Sequence, residues 1–281
     1  MAEAPRIPLL EHETAETAVF TPANLLAAAR IKKGLPRGLV PAGCLLDFDG
    51  ELVEHLAAAG KAAEDPAWPC FHTRLFRWRD ERREFGVIGG TIGASYAVLV
   101  AEELFASGCK AIVSVSSAGL VADHITPPIF LLIEKALRDE GTSHHYLPPG
   151  RYAEADPLLV STVRKRLGGM SVPVLVGASW TTDAPFRETE RLIASRRMEG
   201  IVSVEMEAAA LLALGKALDK PVACLAHITN SMATRPGDFE KGGDTGIRDS
   251  LSVCSAALEA ALEHAGENIR RRKGPSHQRG R

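Results

Sequence analysis

Apolar positions in this chain follow two spacings, one typical of strands and one typical of helices. Short apolar runs at 39–48, 85–88, 110–117, 128–134, 173–178 and 222–229 predict buried strands. Helical spacing predicts helices at 23–31, 51–59, 156–167, 208–218 and 247–265, with a further helix that ends near residue 107. Because strands and helices alternate, the pattern indicates an α/β fold whose sheet is largely buried and mostly parallel.

The segment 208–218 consists almost entirely of alanine and leucine, which predicts a helix buried on all sides. Its entrance is polar, since Glu205 and Glu207 flank Met206 immediately before it. In an extended segment the two carboxylates project to one side and the methionine to the other. Such a pair can bind sugar hydroxyls or stabilise a developing cation. Alternatively, both acids complement the dipole of the helix.

Composition is that of a single globular domain. The 281 residues are 46% hydrophobic and 24% charged, enough to bury a full core. We expect an N-terminal extension over 1–20, one domain over 21–266 and a disordered basic tail over 267–281. The net charge of -2 conceals acidic residues near the start and a cluster of arginines at the end.

Cysteine usage and hydropathy point to the cytoplasm. The five cysteines are widely spaced, with neither a Cys-x-x-Cys pair nor a Cys/His cluster at metal-ligand spacing, so we expect reduced core thiols and no metal. The chain has no signal-peptide pattern and no run of 18 apolar residues, which predicts neither export nor a membrane partner.

Three other segments contain candidate chemistry. Gly90, Thr91, Gly93 and Ser95 form a glycine-rich turn between strand and helix, which is either an anion site or a plain tight turn. The acids of segment 47–50 follow a strand and can be functional or can cap the next helix. Arginines alternate with aromatic residues over 70–84, but acids offset the charge there, so we expect no nucleic-acid partner.

Four segments together resemble the nucleoside phosphorylase superfamily, and most closely its uridine phosphorylase branch. They are 204–209 (VEMEAA), 182–186 (TDAPF), 141–146 (GTSHHY) and 116–119 (SSAG), and the resemblance covers roughly residues 40–265. It implies a single-domain, three-layer α/β sandwich around a mixed, mostly parallel, barrel-like sheet. It also implies a homo-oligomer, from dimer to hexamer, with active sites near subunit contacts.

The resemblance implies roles for the residues around the polar entrance. Glu207 binds the ribose hydroxyls, Met206 packs under the sugar, and Glu205 supports the loop or the sugar. Purine-cleaving relatives have an aspartate where this chain has Asn230. An amide cannot act as a general acid, which favours a pyrimidine-like leaving group or an unusual purine.

Further residues are assigned to the base and the sugar by the same resemblance. Thr182, Asp183 and Arg187 are candidates for base recognition, and Phe186 belongs to an aromatic wall beside them. The small residues that end the third strand, Ser117 and Gly119, let a ligand approach the backbone. His144 contacts the 5′ hydroxyl or only shapes its loop.

The phosphate site departs from the family pattern. Uridine phosphorylases have a Gly-Asp-Pro-x-Arg turn where this chain has FDGEL at 48–52, and an arginine where it has Ser114. Each missing charged hydrogen bond is worth roughly 1.5–3 kcal/mol. Arg74 and the turn residues Gly90, Thr91, Gly93 and Ser95 are the candidate replacements.

Three functions remain open at this point. Phosphorolysis of a nucleoside to free base and ribose 1-phosphate is the leading hypothesis, with inorganic phosphate as co-substrate and no other cofactor. Hydrolysis of the same bond by water is the second, since it needs no arginine pair. A non-catalytic nucleoside-binding or assembly protein is the third.

Overall fold

The computed structural model describes residues 7–273, except 12, 15, 81–82 and 231–242. Ten strands lie within these ranges: β1 Gly43–Asp47, β2 Ala62–Glu64, β3 Phe76–Arg79, β4 Glu84–Gly89, β5 Ala111–Leu120, β6 Ile129–Asp139, β7 Tyr152–Glu154, β8 Val174–Thr182, β9 Ile201–Glu205 and β10 Val222–Asn230. The same ranges contain seven α-helices: α1 Pro22–Lys33, α2 Glu51–Ala58, α3 Ala94–Ala106, α4 Pro157–Leu167, α5 Glu190–Met198, α6 Ala208–Leu218 and α7 Gly243–Lys273.

All ten strands belong to one mixed sheet. Its order is β10-β6-β8-β9-β5-β1-β4-β3-β2, with β7 beside β6. An additional pairing between β10 and β5 closes β5, β10, β6, β8 and β9 into a five-stranded barrel-like ring. Around β5, the neighbours β1 and β10 run parallel while β9 runs antiparallel. The predicted fold class, a three-layer sandwich around a mixed, barrel-like sheet, is confirmed.

Helices cover both faces of the sheet because its strands are apolar on both sides. Leu46, Ile112 and Leu131 pack in one cluster with α3 and α6, whereas their sequence neighbours Leu45 and Val113 pack in another with α2, α4 and α7. This division follows from the two-residue period of a strand. In α6 every residue from Ala208 to Gly215 is buried, as predicted, whereas the last three residues of the helix, 216–218, are exposed.

The structure extends several predicted elements and adds others. β6 continues to Asp139 and β8 to Thr182, into segments that the sequence assigned to polar loops. The strands β2, β7 and β9 and the helix α5 were not predicted. α5 buries none of its residues, so it has no apolar stripe to detect; the Thr189 side chain, which accepts a hydrogen bond from Leu192 N, caps its start.

The last helix is longer than predicted. α7 runs from Gly243 to Lys273 and therefore continues past residue 266, where we placed the end of the domain. Residues 274–281 of the basic tail lie outside the described residues.

Other expectations concern the thiols and the membrane. All five cysteines are free and buried, as predicted. Within the described part of the chain, no helix has the length and apolarity needed to cross a membrane.

The contact between β4 and α2 yields a test of the packing. A Cβ added at Gly89 would lie 2.4 Å from Val53 Cγ1 and 3.0 Å from Gly50 Cα, so Gly89→Ala forces the start of α2 away from the sheet. We expect a loss of about 1–3 kcal/mol in the free energy of unfolding, measured by urea titration. Gly169→Ala is the control, because a Cβ there meets nothing within 4 Å. In the double variant with Val53→Ala the two losses should be less than additive, and full additivity would contradict this account.

Candidate functional site

The carboxylate of Glu205 lies at the end of β9 and is saturated by hydrogen bonds from the protein. Its Oε1 accepts from Ser179 Oγ at 3.1 Å and from Thr181 Oγ1 at 2.6 Å, and its Oε2 accepts from the N–H groups of Glu207 at 2.7 Å and Ala208 at 2.6 Å. Burial raises the pKa of Glu205, and these four donors oppose that rise. Glu205 therefore caps α6 and supports the loop, as the resemblance allowed, rather than offering free acceptors to a sugar.

The carboxylate of Glu207 faces the glycine-rich turn. Its Oε1 accepts a hydrogen bond from Gly93 N at 2.7 Å, and its Oε2 accepts one from Met206 N at 3.2 Å. The residue is 2% exposed, and burial, together with the charge of Glu205, raises its pKa to about 8. Asp49 also raises this pKa. Glu207 thus has fewer donors than its neighbour and is the more available of the two for a ligand. Met206 between them is half-buried.

The two aspartates that follow β1 have different roles. Asp47 accepts hydrogen bonds through Oδ2 from Leu52 N at 2.9 Å and Val53 N at 3.1 Å, which caps α2; burial raises its pKa to about 6. Asp49 instead reaches across to β5, where it accepts from Ser117 N at 3.1 Å and from Ser117 Oγ at 3.0 Å. One acid is therefore a helix cap, and the other belongs to the candidate site.

Several strand ends meet at Gly119. It pairs with Val204 of β9 on one side and with Asn230 of β10 on the other. The antiparallel strands β5 and β9 pair only near their last residues, at Gly119–Val204 and Leu120–Ser203. The carboxyl ends of β5, β9 and β10 therefore meet at this point. The backbone of Asn230 therefore lies where the sequence predicted it, and its side chain lies outside the described residues.

A cavity of about 530 Å³ opens beside Asp49. Gly90 and Arg74 line it together with His72 and Tyr96. The Arg74 guanidinium is 71% exposed and pairs with Glu64 at 3.3 Å. The structure therefore places Arg74 and one residue of the turn on the same cavity as Asp49, with the arginine at its exposed rim.

The other turn residues predicted for phosphate are used differently. The N–H of Gly93 already donates to Glu207. The Thr91 hydroxyl is buried without a hydrogen-bond partner among the described residues, and Ser95 is exposed. Gly90 and Gly93 have φ of 72° and 98°, which explains the need for glycine at both positions. As the structure stands, a protein carboxylate occupies part of this anion site.

The residues predicted for base recognition differ in their exposure and partners. Thr182 is buried, and its hydroxyl accepts a hydrogen bond from Ala184 N at 3.1 Å. Asp183 accepts from Gly141 N at 2.9 Å and so fastens the loop that contains His144. Phe186 is 98% exposed and Arg187 is also exposed. Their role in binding a base stays a prediction.

His144 lies in a 3-10 helix, Thr142–His145, that packs on α3 and α6. Its Nδ1 is buried without a hydrogen-bond partner among the described residues. Burial, with help from Arg138 and His145, lowers its pKa. A neutral imidazole of this kind can donate to or accept from a hydroxyl, so the predicted contact with the sugar remains chemically sound.

Sequence reasoning missed two residues that hold the site. Ser179 and Thr181 fix the Glu205 carboxylate, and Thr181 Oγ1 also accepts from Ala209 N at 2.9 Å. Both alternate along β8 on one face, which is a detectable signal once β8 is known to reach Thr182. Asp49 is one of the acids of segment 47–50 that the sequence left open as functional groups or helix caps, and its place just after a parallel strand is a signal for a ligand site.

The raised pKa of Glu207 makes stability depend on pH. Below about pH 4.5 the carboxyl is protonated in both states, whereas between about pH 4.5 and 8 only the unfolded chain ionises it, so stability falls as pH rises through that window. Glu207→Gln removes this ionisation. We expect its free energy of unfolding, relative to wild type, to rise by roughly 2–5 kcal/mol between pH 5 and pH 8.5. Urea titrations at a series of pH values measure it, and a difference independent of pH would contradict the assignment.

Glu205→Gln is the matched control. An amide keeps only one acceptor oxygen, so two of the four donors that face Glu205 lose their partner. We expect a loss of at least about 2 kcal/mol at every pH from 5 to 8.5. Equal behaviour of the two glutamine variants would show that the acids do not have separate roles.

Comparison with known proteins agrees with this fold. The fold is similar to the crystal structure of uridine phosphorylase from Vibrio fischeri ES114, with a TM-score of 0.69, 22% identity, and 82% of this chain and 96% of that chain covered. A structure of the Vibrio fischeri enzyme complexed with 6-hydroxy-1-naphthoic acid has a TM-score of 0.70 and 20% identity, covering 83% and 99%. The comparison with curated proteins gave no match. The family model described as the phosphorylase superfamily matches residues 43–265, and the chain therefore belongs to that superfamily.

Proposed function

We propose that this protein is a nucleosidase, which cleaves the N-glycosidic bond of a nucleoside with water. The observation that supports it is the pair of hydrogen bonds from Ser117 N and Oγ to the Asp49 carboxylate. Sequence analysis favoured phosphorolysis. Hydrolysis is now preferred because the Asp49 carboxylate already accepts the hydrogen bonds that Ser117 could donate to a phosphate.

Electrostatics supports water over phosphate as the nucleophile. A phosphate dianion next to Ser117 would compete with Asp49 for the same two donors and would meet its negative charge. Displacing each such charged hydrogen bond costs roughly 1.5–3 kcal/mol. Within the described ranges, the hydrogen bonds to Glu205 and Glu207 also come from N–H and hydroxyl groups rather than from cations. Water is neutral, so the carboxylates do not repel it and it does not have to displace Asp49 from Ser117.

Glu207 and Asp49 then have different roles in the reaction. Glu207 binds the ribose hydroxyls, and their hydrogen bonds favour its ionised form because donors to a carboxylate lower its pKa. The ionised group stabilises the positive charge that develops on the sugar as the bond to the base breaks. Asp49 accepts the proton of the attacking water as a general base and later releases it to solvent, while the base leaves with the electron pair of the broken bond and takes up a proton from solvent. The products are the free base and ribose.

The leaving base is proposed to be pyrimidine-like. This chain has Asn230 at the end of β10, and an amide side chain cannot protonate a leaving purine. Thr182, Asp183, Phe186 and Arg187 remain the proposed elements of base recognition. We also propose that the protein forms a homo-oligomer, in which a neighbouring chain covers the exposed Phe186.

Phosphorolysis is the second candidate, favoured by the position of Arg74. This arginine lines the cavity that Asp49 and Gly90 also line, and its partner Glu64 is itself half-exposed. Such a surface ion pair is weak and can be exchanged for a phosphate. Arg74 therefore supplies the cation that a phosphorylase needs, on this chain or on a neighbouring one.

The nucleophile is identified by a product assay. Purine and pyrimidine nucleosides are incubated with the full-length protein, with and without inorganic phosphate, and free base, ribose and ribose 1-phosphate are separated by chromatography. We expect ribose at the same rate in both conditions. Ribose 1-phosphate that forms only with phosphate would establish phosphorolysis, and absence of base release from every nucleoside would favour a binding protein.

Two variants connect the assay to the site. Asp49→Asn should lower kcat about 100-fold or more, as expected for removal of a general base, with a smaller change in KM. Arg74→Ala should leave hydrolysis unchanged, whereas phosphorolysis should be strongly weakened by it. Asp123→Asn, an exposed aspartate, is the control for charge alone. Full activity of Asp49→Asn would contradict the proposed role of Asp49.

A further inference from the structure

Three potential metal ligands meet between the β2–β3 loop and helix α3. Cys70 and His72 belong to the loop, and Glu103 lies in the third turn of the helix. One ligand atom from each residue lies within 4.8 Å of the other two, and His72 Nε2 is 3.8 Å from Glu103 Oε2. The spacing Cys-x-His is visible in the sequence, but Glu103 is far from it along the chain, so sequence analysis expected no metal.

The carboxylate of Glu103 is buried and has no hydrogen-bond donor within the described part of the chain. The residue is 1% exposed, and neither carboxylate oxygen has a hydrogen-bond partner among the described residues. Buried carboxylates are ordinarily paired, hydrogen-bonded or bound to a metal, because water no longer solvates them. The imidazole of His72 lies beyond hydrogen-bond distance, with Nε2 at 3.8 Å from Glu103 Oε2. The side chain is therefore directed into a group of ligands without a partner of its own.

The sulfur of Cys70 is held in place by two hydrogen bonds that it accepts. Sγ accepts hydrogen bonds from Thr73 Oγ1 at 3.0 Å and from His72 N at 3.5 Å. Thr73 is oriented in turn by Trp68, whose Nε1 donates to Thr73 Oγ1 at 2.9 Å. On the helix side, Tyr96 fixes the loop by donating its hydroxyl to His72 O at 2.9 Å. Supporting hydrogen bonds of this kind typically orient the ligands of a metal.

We propose that Cys70, His72 and Glu103 bind a Zn²⁺ ion. A thiolate, an imidazole and a carboxylate are all ligands that zinc accepts, and thiolate excludes the hard cations Mg²⁺ and Ca²⁺. The two anionic ligands match the charge of the ion. Binding releases the thiol proton of Cys70 to solvent, and water completes the coordination.

The ion would fasten the cavity wall to helix α3. His72 and Tyr96 line the same cavity as Asp49, and Arg74 follows two residues after His72. A cross-link between the loop and α3 limits the positions that this wall can adopt. The proposal is independent of the reaction proposed above, since metal content and cleavage of nucleosides are measured separately.

The test is metal binding by the full-length chain without a histidine tag. After removal of metal with a chelator, the protein is dialysed against ZnCl₂, and bound zinc is measured by mass spectrometry. We expect about one equivalent per chain, and CoCl₂ should produce a thiolate-to-cobalt charge-transfer band in the near ultraviolet. MgCl₂ should neither bind nor compete.

Variants separate the cluster from other thiols and histidines. Cys70→Ser, His72→Ala and Glu103→Gln should each lower the zinc affinity by more than about 100-fold, and Thr73→Val, which removes a supporting hydrogen bond, by about 10–100-fold. Cys109→Ser is the matched control, since its buried thiol donates to Ala111 O at 3.1 Å and a hydroxyl can replace it. His72 is 34% exposed, so its variant is expected to fold.

Three results would overturn the proposal. The first is less than about 0.1 equivalents of zinc in the wild type after dialysis. The second is one equivalent that all three ligand variants retain, which would place the ion elsewhere. The third is a cobalt derivative without a thiolate band, or one whose band persists in Cys70→Ser and is lost in Cys109→Ser.

Discussion

The buried carboxylate of Glu205 joins three elements at one point. It accepts hydrogen bonds from Ser179 and Thr181 of β8 and from two N–H groups at the start of α6, while its own backbone ends β9. Four donors and the positive end of a helix stabilise a charge that burial alone would disfavour. Because α6 is apolar on every side, its start cannot be solvated by water, and Glu205 supplies the acceptor that its first N–H groups require.

That arrangement determines where Glu207 points. With Glu205 directed into the sheet, the main chain turns at Met206, and Glu207 is directed toward the glycine-rich turn, where it reaches Gly93 N. The candidate site is therefore acidic at its centre. Asp49 approaches from β1 and Glu207 from α6, and each is held by hydrogen bonds from N–H or hydroxyl groups of the protein. The hydrolysis proposed above relies on this concentration of negative charge, which would repel a phosphate dianion and would stabilise positive charge on a sugar.

Burial connects the candidate site with the proposed metal site. Both place carboxylates where water is excluded, but they compensate the cost in different ways. Glu207 has N–H donors and a pKa of about 8, so a proton can neutralise it. Glu103 has no donor among the described residues and lies beside a thiol and an imidazole, the ligands that a divalent cation requires.

The sequence by itself determined the fold class, the buried helix α6 and the chemistry of its entrance. These features are local, because the spacing of apolar residues and the signals that start and end a helix lie within a short stretch of neighbouring residues. Contacts between distant residues required the tertiary structure. The pairing of Asp49 with Ser117, the separate roles of Glu205 and Glu207, and the meeting of Cys70 with Glu103 all depend on strand order and loop packing. The sequence shows which side chains are present. The electrostatic environment of each side chain depends on residues that are distant along the chain and become neighbours only when the protein folds.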